Sequence, residues 1–510
     1  MRARTSSRAP VGRPPRALLA AALALATALA CSAPSRPAIV VVTEVRDGCI
    51  DPTSYGAVVD DGKDDRVAVQ AALDAARRSA RPVCLPIGDL HIARKPGRGR
   101  AVVASLIVDG DGLELRGRGP KSRLVMLAGP ELERPNAWWL LQVTGTRHTL
   151  ANFALDGSSR GRTHEQTHLV QVLGPASGIQ IERLSLTIPK QPDNRGGDCI
   201  RLLGEQDARV DGVSIVGVRG ESCARSFIAF QRAVSNVQIY DSTSVVVSDQ
   251  VIDMEPSGRG AIHNVRIRDC NFQRGPGAEG NWALSLAGAD DSAEDILVQS
   301  TTLDGGIFAY NVSHTTVRDC TITGGVTREA LIHIVRGGEG VRILDNRLDR
   351  TGLPGDGIYL GHHHTTWPTD VILRGNHIRL RGDGIPIHGE PVVGIDIDGN
   401  TIDCAGPTPN RAAAVTLRGN TAPISRVRVR GNSIRGNCAG AVRISSYREN
   451  VTGSAIVKDN VVEGASYGVQ FDGAEPTTPP VVDDNVFDGV PPARQVTGLR
   501  AGGFTGQNSP

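Results

Sequence analysis

A short sequence motif that repeats about every 28 residues constrains the fold of this chain more than any other feature of its sequence. From about residue 148 onward the motif consists of an alternating apolar stretch, a polar turn and a further apolar residue. The clearest copies are VRIRDCNF, TVRDCTI, VRILDNRL, VILRGNHI, IDIDGNTI, VRVRGNSI, AIVKDNVV and VVDDNVF. The turn residues that align them are Phe153, Leu184, Val213, Ser242, Cys270, Thr301, Cys320, Asn346, Asn376, Asn400, Asn432, Asn460 and Asn485. A period of this length is typical of solenoids.

Alternation with a period of two makes each apolar stretch a strand with one buried face. Each copy is followed by a second short strand of the same kind, such as DCIRLL, QVIDME or ALIHIV. Almost no room is left for helices, so a βαβ fold is excluded, and a propeller blade would need more strands per repeat. The run of Asn at one register from Asn346 to Asn485 favours stacked coils, because Asn tolerates left-handed turns and can bond to its neighbours above and below. The sequence therefore predicts an all-β parallel β-helix solenoid.

The segment before the repeats predicts a helix. In DDGKDDRVAVQAALDAARRSA, Asp64 is a candidate N-cap, and Val69, Leu73 and Ala76 follow at helical spacing. We expect this helix, at Asp65–Ser79, to cover one end of the solenoid.

YGAVVDDGKDDRVAVQAALDAA followed by RPVCLPIGDLHI resembles the opening segment shared by the pectate-lyase superfamily. The resemblance implies a right-handed parallel β-helix with an N-terminal capping helix. It is specific for the fold and unspecific for the chemistry. We expect one β-helix domain over 51–490 with its cap at 51–92, followed by a flexible tail over 491–510.

Residues 1–31 are typical of an export signal. Basic residues from Arg2 to Arg16 precede an apolar segment from Ala17 to Ala30, and Ala28-Leu29-Ala30 is a cleavage site of the small-x-small kind. Cleavage there would leave Cys31 at the new N-terminus, which resembles a bacterial lipoprotein signal and would make Cys31 a lipid anchor. Ordinary secretion with Cys31 as a bystander is the alternative. Residues 32–50 would be a linker, and the protein would lie in the cell envelope or outside the cell.

The repeat register also sorts the eight remaining cysteines. Cys404 and Cys438 fall in neighbouring coils just past the aligned Asn, so a disulfide between them is feasible. Cys199 and Cys223 also fall in neighbouring coils, and Cys49 and Cys84 flank the predicted helix, so we expect a disulfide within each of these pairs as well. Cys270 and Cys320 share a register but lie two coils apart, about 9.6 Å, which is too far for an unstrained bridge. We predict that these two are free and buried.

Asp253 and Glu255 are the strongest catalytic candidates. They alternate with apolar residues on one strand and share its outer face, their Cα atoms about 6.5–7 Å apart, which is compatible with glycoside hydrolysis. Like charges so close would raise the pKa of one carboxyl group and leave an acid beside a base. Neighbouring coils would supply substrate-binding residues: Asp198, Arg201, Asp249 and Trp282. The alternative is that the two carboxylates have no catalytic role and only make the strand face soluble or form ion pairs with Arg201 and Arg259.

A second cluster of candidates consists of Tyr310, His333, Tyr359 and His388 on four successive coils. His333 and Tyr359 would suit proton abstraction from C5 of a uronic acid, with Arg336 neutralising the carboxylate, whereas Tyr310 and His388 would bind substrate. A lone outward His is more often a solvated surface residue.

Three functions remain open on the sequence alone. The leading hypothesis is an exported enzyme that hydrolyses a polysaccharide, followed by a uronate lyase or C5-epimerase, and then by a non-catalytic polysaccharide-binding protein or adhesin. The formal net charge of +2 argues against nucleic acid as a partner. We expect no cofactor, no metal because no Cys/His ligand spacing occurs, and no membrane contact except through Cys31.

Overall fold

The structure is a computed structural model, and it describes part of the chain within the compact unit Gly48–Pro510. The described residues are 48–94, 103–127, 138–157, 166–190, 196–256, 261–276, 278, 282–286, 293–324, 330–336, 339–350, 355–361, 369–381, 384–389, 392–405, 413–419, 424–446, 454–472, 478–498 and 506–509. The predicted signal segment, Cys31 and Arg259 lie outside them, as do residues 32–47 of the predicted linker.

The described strands pair in parallel and form three stacks, which we number by their order within one coil. The first stack consists of Val103–Val108, Trp138–Thr146, the first part of Thr167–Glu182, Ile200–Leu203, Ile228–Gln231, Ile252–Glu255, Trp282–Leu286, Gly306–Tyr310, Ile332–Val335, Ile358–Leu360, Ile385–Gly389, Ala413–Gly419, Gly440–Ser446, Val469–Asp472 and Val496–Thr497.

The second stack consists of Val83–Cys84, Glu114–Arg116, Thr149–Ala151, the last part of Thr167–Glu182, Val210–Val216, Val234–Tyr240, Ile262–Arg268, Ala293–Gln299, Val312–Ser313, Thr316–Arg318, Arg342–Leu344, Thr369–Arg374, Val392–Asp398, Ile424–Arg430, Ala455–Lys458 and Val481–Asp483.

The third stack consists of Gly88–Ile92, Ser122–Met126, Ala154–Asp156, Ser185–Ile188, Arg219–Cys223, Thr243–Ser244, Asn271–Phe272, Thr302–Asp304, Thr321–Thr323, Arg347–Arg350, His377–Leu380, Thr401–Cys404, Ser433–Gly436, Val461–Glu463 and Val486–Asp488.

The apolar residues of the predicted alternating strands fill the core. In the first stack Ile200 and Leu202 are fully buried, and Ile228 with Phe230 and Ile252 with Met254 occupy the same two positions on the next coils. Because each inward side chain stacks on its equivalent one coil away, the apolar interior is continuous along the solenoid. The residues between them point outward and form the face on which the candidate site lies.

The turn between the second and third stacks differs from the prediction in two ways. Val213 lies inside the strand Val210–Val216, and Val218 occupies the aligned turn position, since Arg219 pairs with Ser185 and with Thr243. The left-handed backbone also falls one residue earlier than expected. Asp459, just before Asn460, has a φ of 55°, and that residue rather than the aligned Asn therefore provides the sharp bend.

The aligned asparagines form a buried ladder. The Nδ2 group of Asn346 donates to Oδ1 of Asn376 at 3.0 Å, and Asn376 bonds to Asn400 in the same way at 2.9 Å. From Asn376 onward, Oδ1 also accepts the backbone N–H of the preceding Asn in the ladder, as Asn400 Oδ1 does from Asn376 at 3.0 Å, whereas Oδ1 of Asn346 accepts from the backbone N–H of Cys320. These bonds satisfy polar groups that would otherwise be buried without partners.

A helix forms at Arg66–Ser79, as predicted, and buries Ala68, Val69, Ala72, Leu73 and Ala76. Gln70 on this helix acts as a substitute for a strand residue. Its side chain accepts from the backbone N–H of Ile107 at 2.8 Å and donates to the carbonyl oxygen of Ile107 at 3.1 Å. The first strand of the first stack therefore has hydrogen-bond partners on its outer edge.

Three disulfides link Cys49 to Cys84, Cys199 to Cys223 and Cys404 to Cys438, which confirms all three predicted pairs. The thiols of Cys270 and Cys320 are free and buried, also as predicted. Thr302 pairs with both Asn271 and Thr321, so one full coil separates the two cysteines.

Part of the predicted tail over 491–510 is structured. Pro492–Gln495 is helical, and Val496–Thr497 pairs with Val469–Asp472. Asn508 extends the asparagine ladder, because its Oδ1 accepts from Nδ2 of Asn485 at 2.8 Å. The paired residues of the solenoid therefore extend past 490. In the described part of the chain, no helix has the length and apolar character needed to cross a membrane.

Candidate active site on the first stack

The strand register aligns a single column of outward side chains on the first stack. In chain order the column contains Arg201, Ala229, Asp253, Ser285, Phe308, His333 and Tyr359. A second column, two residues further along the strands, contains Gln231 and Glu255 on adjacent coils and Tyr310 beyond them. Both groups of catalytic candidates therefore lie on one face of the solenoid.

Asp253 and Glu255 share one arginine, Arg225, from the preceding coil. The Nη2 group of Arg225 lies 3.0 Å from Oδ2 of Asp253 and 3.0 Å from Oε1 of Glu255. Gln231 completes the arrangement by donating from Nε2 to Oε2 of Glu255 at 2.7 Å. Arg201, one of the two arginines expected near the pair, donates to Gln231, whereas the other, Arg259, lies outside the described residues.

The two carboxyl groups differ in their surroundings. The side chain of Asp253 is 7% exposed, whereas that of Glu255 is 43% exposed. Burial, together with repulsion from Glu255, raises the pKa of Asp253 to about 8 despite the attraction of Arg225. At neutral pH Asp253 therefore keeps its proton, and a buried acid lies beside a solvent-exposed carboxyl group.

Arg225 also connects the pair to a buried polar network. Asp198 is fully buried, and its burial raises its pKa to about 6. Its Oδ1 lies 3.9 Å from Nε of Arg225, and its Oδ2 lies 3.3 Å from Nδ1 of the buried His168. Nη1 of Arg201 lies 2.9 Å from Nε2 of the same histidine. Asp198 and Arg201, predicted to bind substrate, are thus mainly internal groups that hold Arg225 and the strands in place.

Asp249 precedes the strand Ile252–Glu255, and Trp282 lies at the start of the adjacent strand Trp282–Leu286. The negative charge of Asp249 acts on both Arg225 and Asp253, and it adds to the factors that raise the pKa of each. Trp282 begins the next strand of the first stack, as predicted, and its ring contacts Phe308 and His333.

From Trp282 onward the outer face carries a row of aromatic rings. The centroids of Trp282 and Phe308 are 5.3 Å apart, those of Phe308 and His333 are 5.7 Å apart, and those of His333 and Tyr359 are 4.7 Å apart. All four side chains are only partly buried. We call Trp282, Phe308, His333 and Tyr359 the aromatic row.

The predicted Tyr–His cluster is divided between the two columns. His333 lies between Phe308 and Tyr359 in the first column and makes edge-to-face contacts with both, whereas Tyr310 pairs with Val335 in the second. Arg336 lies over the ring of Tyr310, with its Cζ atom 5.4 Å from the ring centroid. His388 is part of Ile385–Gly389, but its side chain lies outside the described residues.

Tyr359 is the member of the His333–Tyr359 contact whose protonation is shifted. Burial, followed by the negative charge of Asp356, raises the pKa of its phenol, so the neutral form is favoured. Tyr359 is therefore better suited to donate a proton than to remove one.

Four residues of the site were not predicted from the sequence: Arg225, Gln231, His168 and Phe308. Phe308 follows from the same alternation that identified Tyr310, because positions two apart on a strand share a face. Arg225 lies before a strand rather than in it, so the alternation of strand residues does not predict that its side chain contacts the carboxylate pair. Among the described residues, no group of three or more His, Cys, Asp or Glu is arranged to hold a metal ion.

Comparison with known proteins identifies the fold. Residues 330–504 match the family model described as a right handed beta helix region. The chain is a right-handed parallel β-helix. The fold expected from the resemblance to the pectate-lyase superfamily is thereby confirmed. No curated protein matches the sequence.

Several solved structures resemble the β-helix at low identity. The A-module of the Azotobacter vinelandii mannuronan C-5 epimerase AlgE6 is 17% identical with a TM-score of 0.38, and the match covers 90% of this chain and 97% of that one. The Streptococcus pneumoniae surface adhesin PfbA is 15% identical with a TM-score of 0.41, and the match covers 83% and 93%. An exopolygalacturonase from Thermotoga maritima is 11% identical with a TM-score of 0.34, and the match covers 84% and 89%.

Proposed function

We propose that this β-helix hydrolyses a glycosidic bond in a polysaccharide, with Asp253 as the proton donor and Glu255 as the partner carboxylate. One observation carries the proposal: the buried Asp253 and the exposed Glu255 lie on one strand and bind the same guanidinium. Paired carboxyl groups with different environments are the usual equipment of glycoside hydrolases.

The chemistry assigns one role to each carboxyl group. Asp253 transfers its proton to the glycosidic oxygen as the bond from that oxygen to the anomeric carbon breaks. Glu255 either takes a proton from the attacking water or attacks the anomeric carbon itself, depending on the distance between the two carboxyl groups in the bound complex. The raised pKa of Asp253, about 8, supports the donor role because the proton is still present at neutral pH.

Arg225 would hold the carboxyl groups of Asp253 and Glu255 in position through both steps. It binds Asp253 and Glu255 at 3.0 Å each, so it can stabilise the negative charge that Asp253 acquires when its proton leaves. Gln231 fixes the second oxygen of Glu255 from the same side. Arg225 is thus a positioning and charge-stabilising residue in this proposal.

Export and the polysaccharide partner belong to the same proposal. The basic and apolar segment over 1–31 supports passage out of the cytoplasm, with Cys31 as the lipid anchor of a cell-envelope form. The long outer face of the first stack runs parallel to the solenoid axis and would accept a chain-shaped substrate.

A polysaccharide panel tests the proposal. The full-length protein is incubated with neutral and uronate-containing polysaccharides, and reducing ends and the ultraviolet absorbance of unsaturated uronates are both recorded. Hydrolysis predicts new reducing ends without that absorbance. Unsaturated products would replace the proposal with a lyase, and tight binding without any product would replace it with a non-catalytic binding protein.

The contact between His333 and Tyr359 favours a second candidate function. Their ring centroids are 4.7 Å apart at an interplanar angle of 79°, and the raised pKa of Tyr359 keeps its phenol protonated. In a uronate lyase or C5-epimerase, His333 would remove the C5 proton and Tyr359 would donate one, with Arg336 near the substrate carboxylate. The same panel distinguishes this candidate from hydrolysis.

A further inference from the structure

We infer that the aromatic row is a stacking platform for several consecutive sugar rings, and that a bound chain runs from Asp253 toward the C-terminal coils. The inference deepens the proposed function and rests on it only for the position of the bond that is cut. The platform itself is a binding site for a pyranose chain, and its occupancy is measurable without catalysis.

The row has the length of a multi-ring site. Four strand-to-strand steps lead from Asp253 through Ser285, Phe308 and His333 to Tyr359. At about 4.8 Å per step, the row ends about 19 Å from Asp253, several times the width of one sugar ring. One bound ring therefore cannot contact both Asp253 and Tyr359.

The rings are held in place before any ligand arrives. Each ring of the row contacts its neighbours at centroid distances between 4.7 and 5.8 Å, and Trp282 reaches His333 as well as Phe308. Side chains fixed by mutual packing lose little rotational freedom on binding, so more of the contact energy is available as affinity.

The chemistry of the row and its margin fits a sugar chain. A pyranose ring has an apolar C–H face bordered by hydroxyl groups, which matches partly exposed aromatic rings bordered by polar side chains. Ser285 lies in the same column, and the exposed Arg336 lies over Tyr310 beside the row. A protein partner would instead need about 800 Å² of surface per side. The row consists of four rings.

The row also has a direction. On the N-terminal side of Asp253 the same column contains Ala229, Arg201 and Gln171, none of which is aromatic. A chain bound at the carboxylates would therefore gain stacking contacts on one side only. Affinity should increase with chain length until the chain covers Tyr359, because each added ring binds at high effective concentration, and should then level off.

Binding to a catalytically disabled protein tests the platform. The background is Asp253→Asn in the full-length chain. Affinity electrophoresis is run in gels containing polygalacturonate, alginate, xylan, dextran or laminarin, and oligosaccharides of increasing length from the retarding polysaccharide are then titrated. We expect Phe308→Ala and Tyr359→Ala each to weaken binding of long oligosaccharides about 2- to 10-fold. Binding of the shortest ones should change less for Tyr359→Ala.

Matched variants separate stacking from other roles. His333→Phe and Tyr359→Phe retain the rings and should bind within about twofold of the parent, and Tyr240→Ala removes a ring from the second stack and should bind normally. If an alanine variant fails to fold, Tyr359→Leu keeps apolar volume without a ring and should still weaken binding.

Three results would overturn the inference. They are a protein that no gel retards, alanine variants with unchanged affinity, and phenylalanine variants as weak as the alanine ones. The proposed hydrolysis can fail separately. If the wild-type protein binds as described but releases no product, the platform stands and the hydrolase does not, whereas cleavage with unchanged affinity in Tyr359→Ala leaves the hydrolase without the platform.

Discussion

The Nη2 group of Arg225 lies 3.0 Å from Oδ2 of Asp253, although the two residues belong to adjacent coils and are 28 positions apart. The guanidinium also binds Glu255 and approaches the buried Asp198. One cation therefore serves three carboxyl groups from two other coils. The site depends on this cation both for its stability and for its charge balance.

Replacing Arg225 by Met should destabilise the protein by about 1–3 kcal/mol, because the buried Asp198 loses its cation and Asp253, which keeps its proton at neutral pH, loses a hydrogen-bond donor. The measurement is the free energy of unfolding in urea near neutral pH. Arg147→Gln is the control, since Arg147 and Asp111 form an exposed pair with side chains 74% and 50% exposed. Loss of that exposed pair should change the free energy of unfolding very little. Equal effects of the two variants would contradict the account.

The stability of the folded protein should depend on the ionisation of Asp253. In the folded state the pKa of Asp253 is raised to about 8, and that of Asp198 to about 6, from an ordinary value near 3.8. The folded state therefore holds these protons more tightly than the unfolded chain does. Their contribution is fully present below pH 4 and is lost as the pH rises through 6 and then 8.

The variant Asp253→Asn isolates this effect. Unfolding free energies of the wild type and the variant are compared between pH 4 and 8, because the comparison cancels other titrations such as that of His148, whose pKa is lowered by burial. The wild type should lose stability relative to the variant as the pH rises. A constant difference between them across this range would show that Asp253 has no raised pKa.

The fold was predictable because the same alternation of apolar and polar residues recurs in coil after coil. Alternation separated inward Ile252 and Met254 from outward Asp253, and the structure agrees. The disulfides followed from the register, since a pair such as Cys404 and Cys438 needs only the coil count. Val213 was misaligned because the earlier coils lack the Asn that marks the turn, and an apolar residue in a strand resembles one in a turn.

The two remaining thiols should be inert in the folded protein. Burial raises the pKa of both Cys270 and Cys320 to about 12, which leaves almost no thiolate at neutral pH. Alkylation followed by peptide mapping should label both residues only after unfolding. Labelling of either one in the native state would contradict their burial.

The asparagine ladder should make a measurable contribution to stability. Asn400→Ala removes the donor to the carbonyl oxygen of Leu373 and the acceptor for the backbone N–H of Asn376. The Nδ2 group of Asn376 and Oδ1 of Asn432 also lose their bonds to Asn400, so four buried polar groups lose a partner and the free energy of unfolding should fall by about 2–4 kcal/mol. Asn271→Ala, at an exposed strand position, is the control and should cost no more than about 0.5 kcal/mol.

The site was less predictable than the fold because it depends on side-chain paths between coils. The sequence placed Asp253 and Glu255 on one face, but it could not show that Arg225 binds both or that Gln231 orients Glu255. It also grouped Tyr310 with His333, although these residues occupy different columns. Each strand has two outward residues, and each of them could align with either outward residue of the next strand. Only the exact pairing register of the strands decides between these alignments.

The most direct test of the central claim compares amide variants of the carboxylate pair with ring variants of the rival site on the polysaccharide that the wild type cleaves. The measured quantity is the initial rate of reducing-end release. Asp253→Asn and Glu255→Gln should each lower this rate by about 100- to 10,000-fold, whereas His333→Phe and Tyr359→Phe should retain most of it. Full activity in both amide variants, with loss of activity in His333→Phe and Tyr359→Phe, would contradict the assignment of catalysis to Asp253 and Glu255.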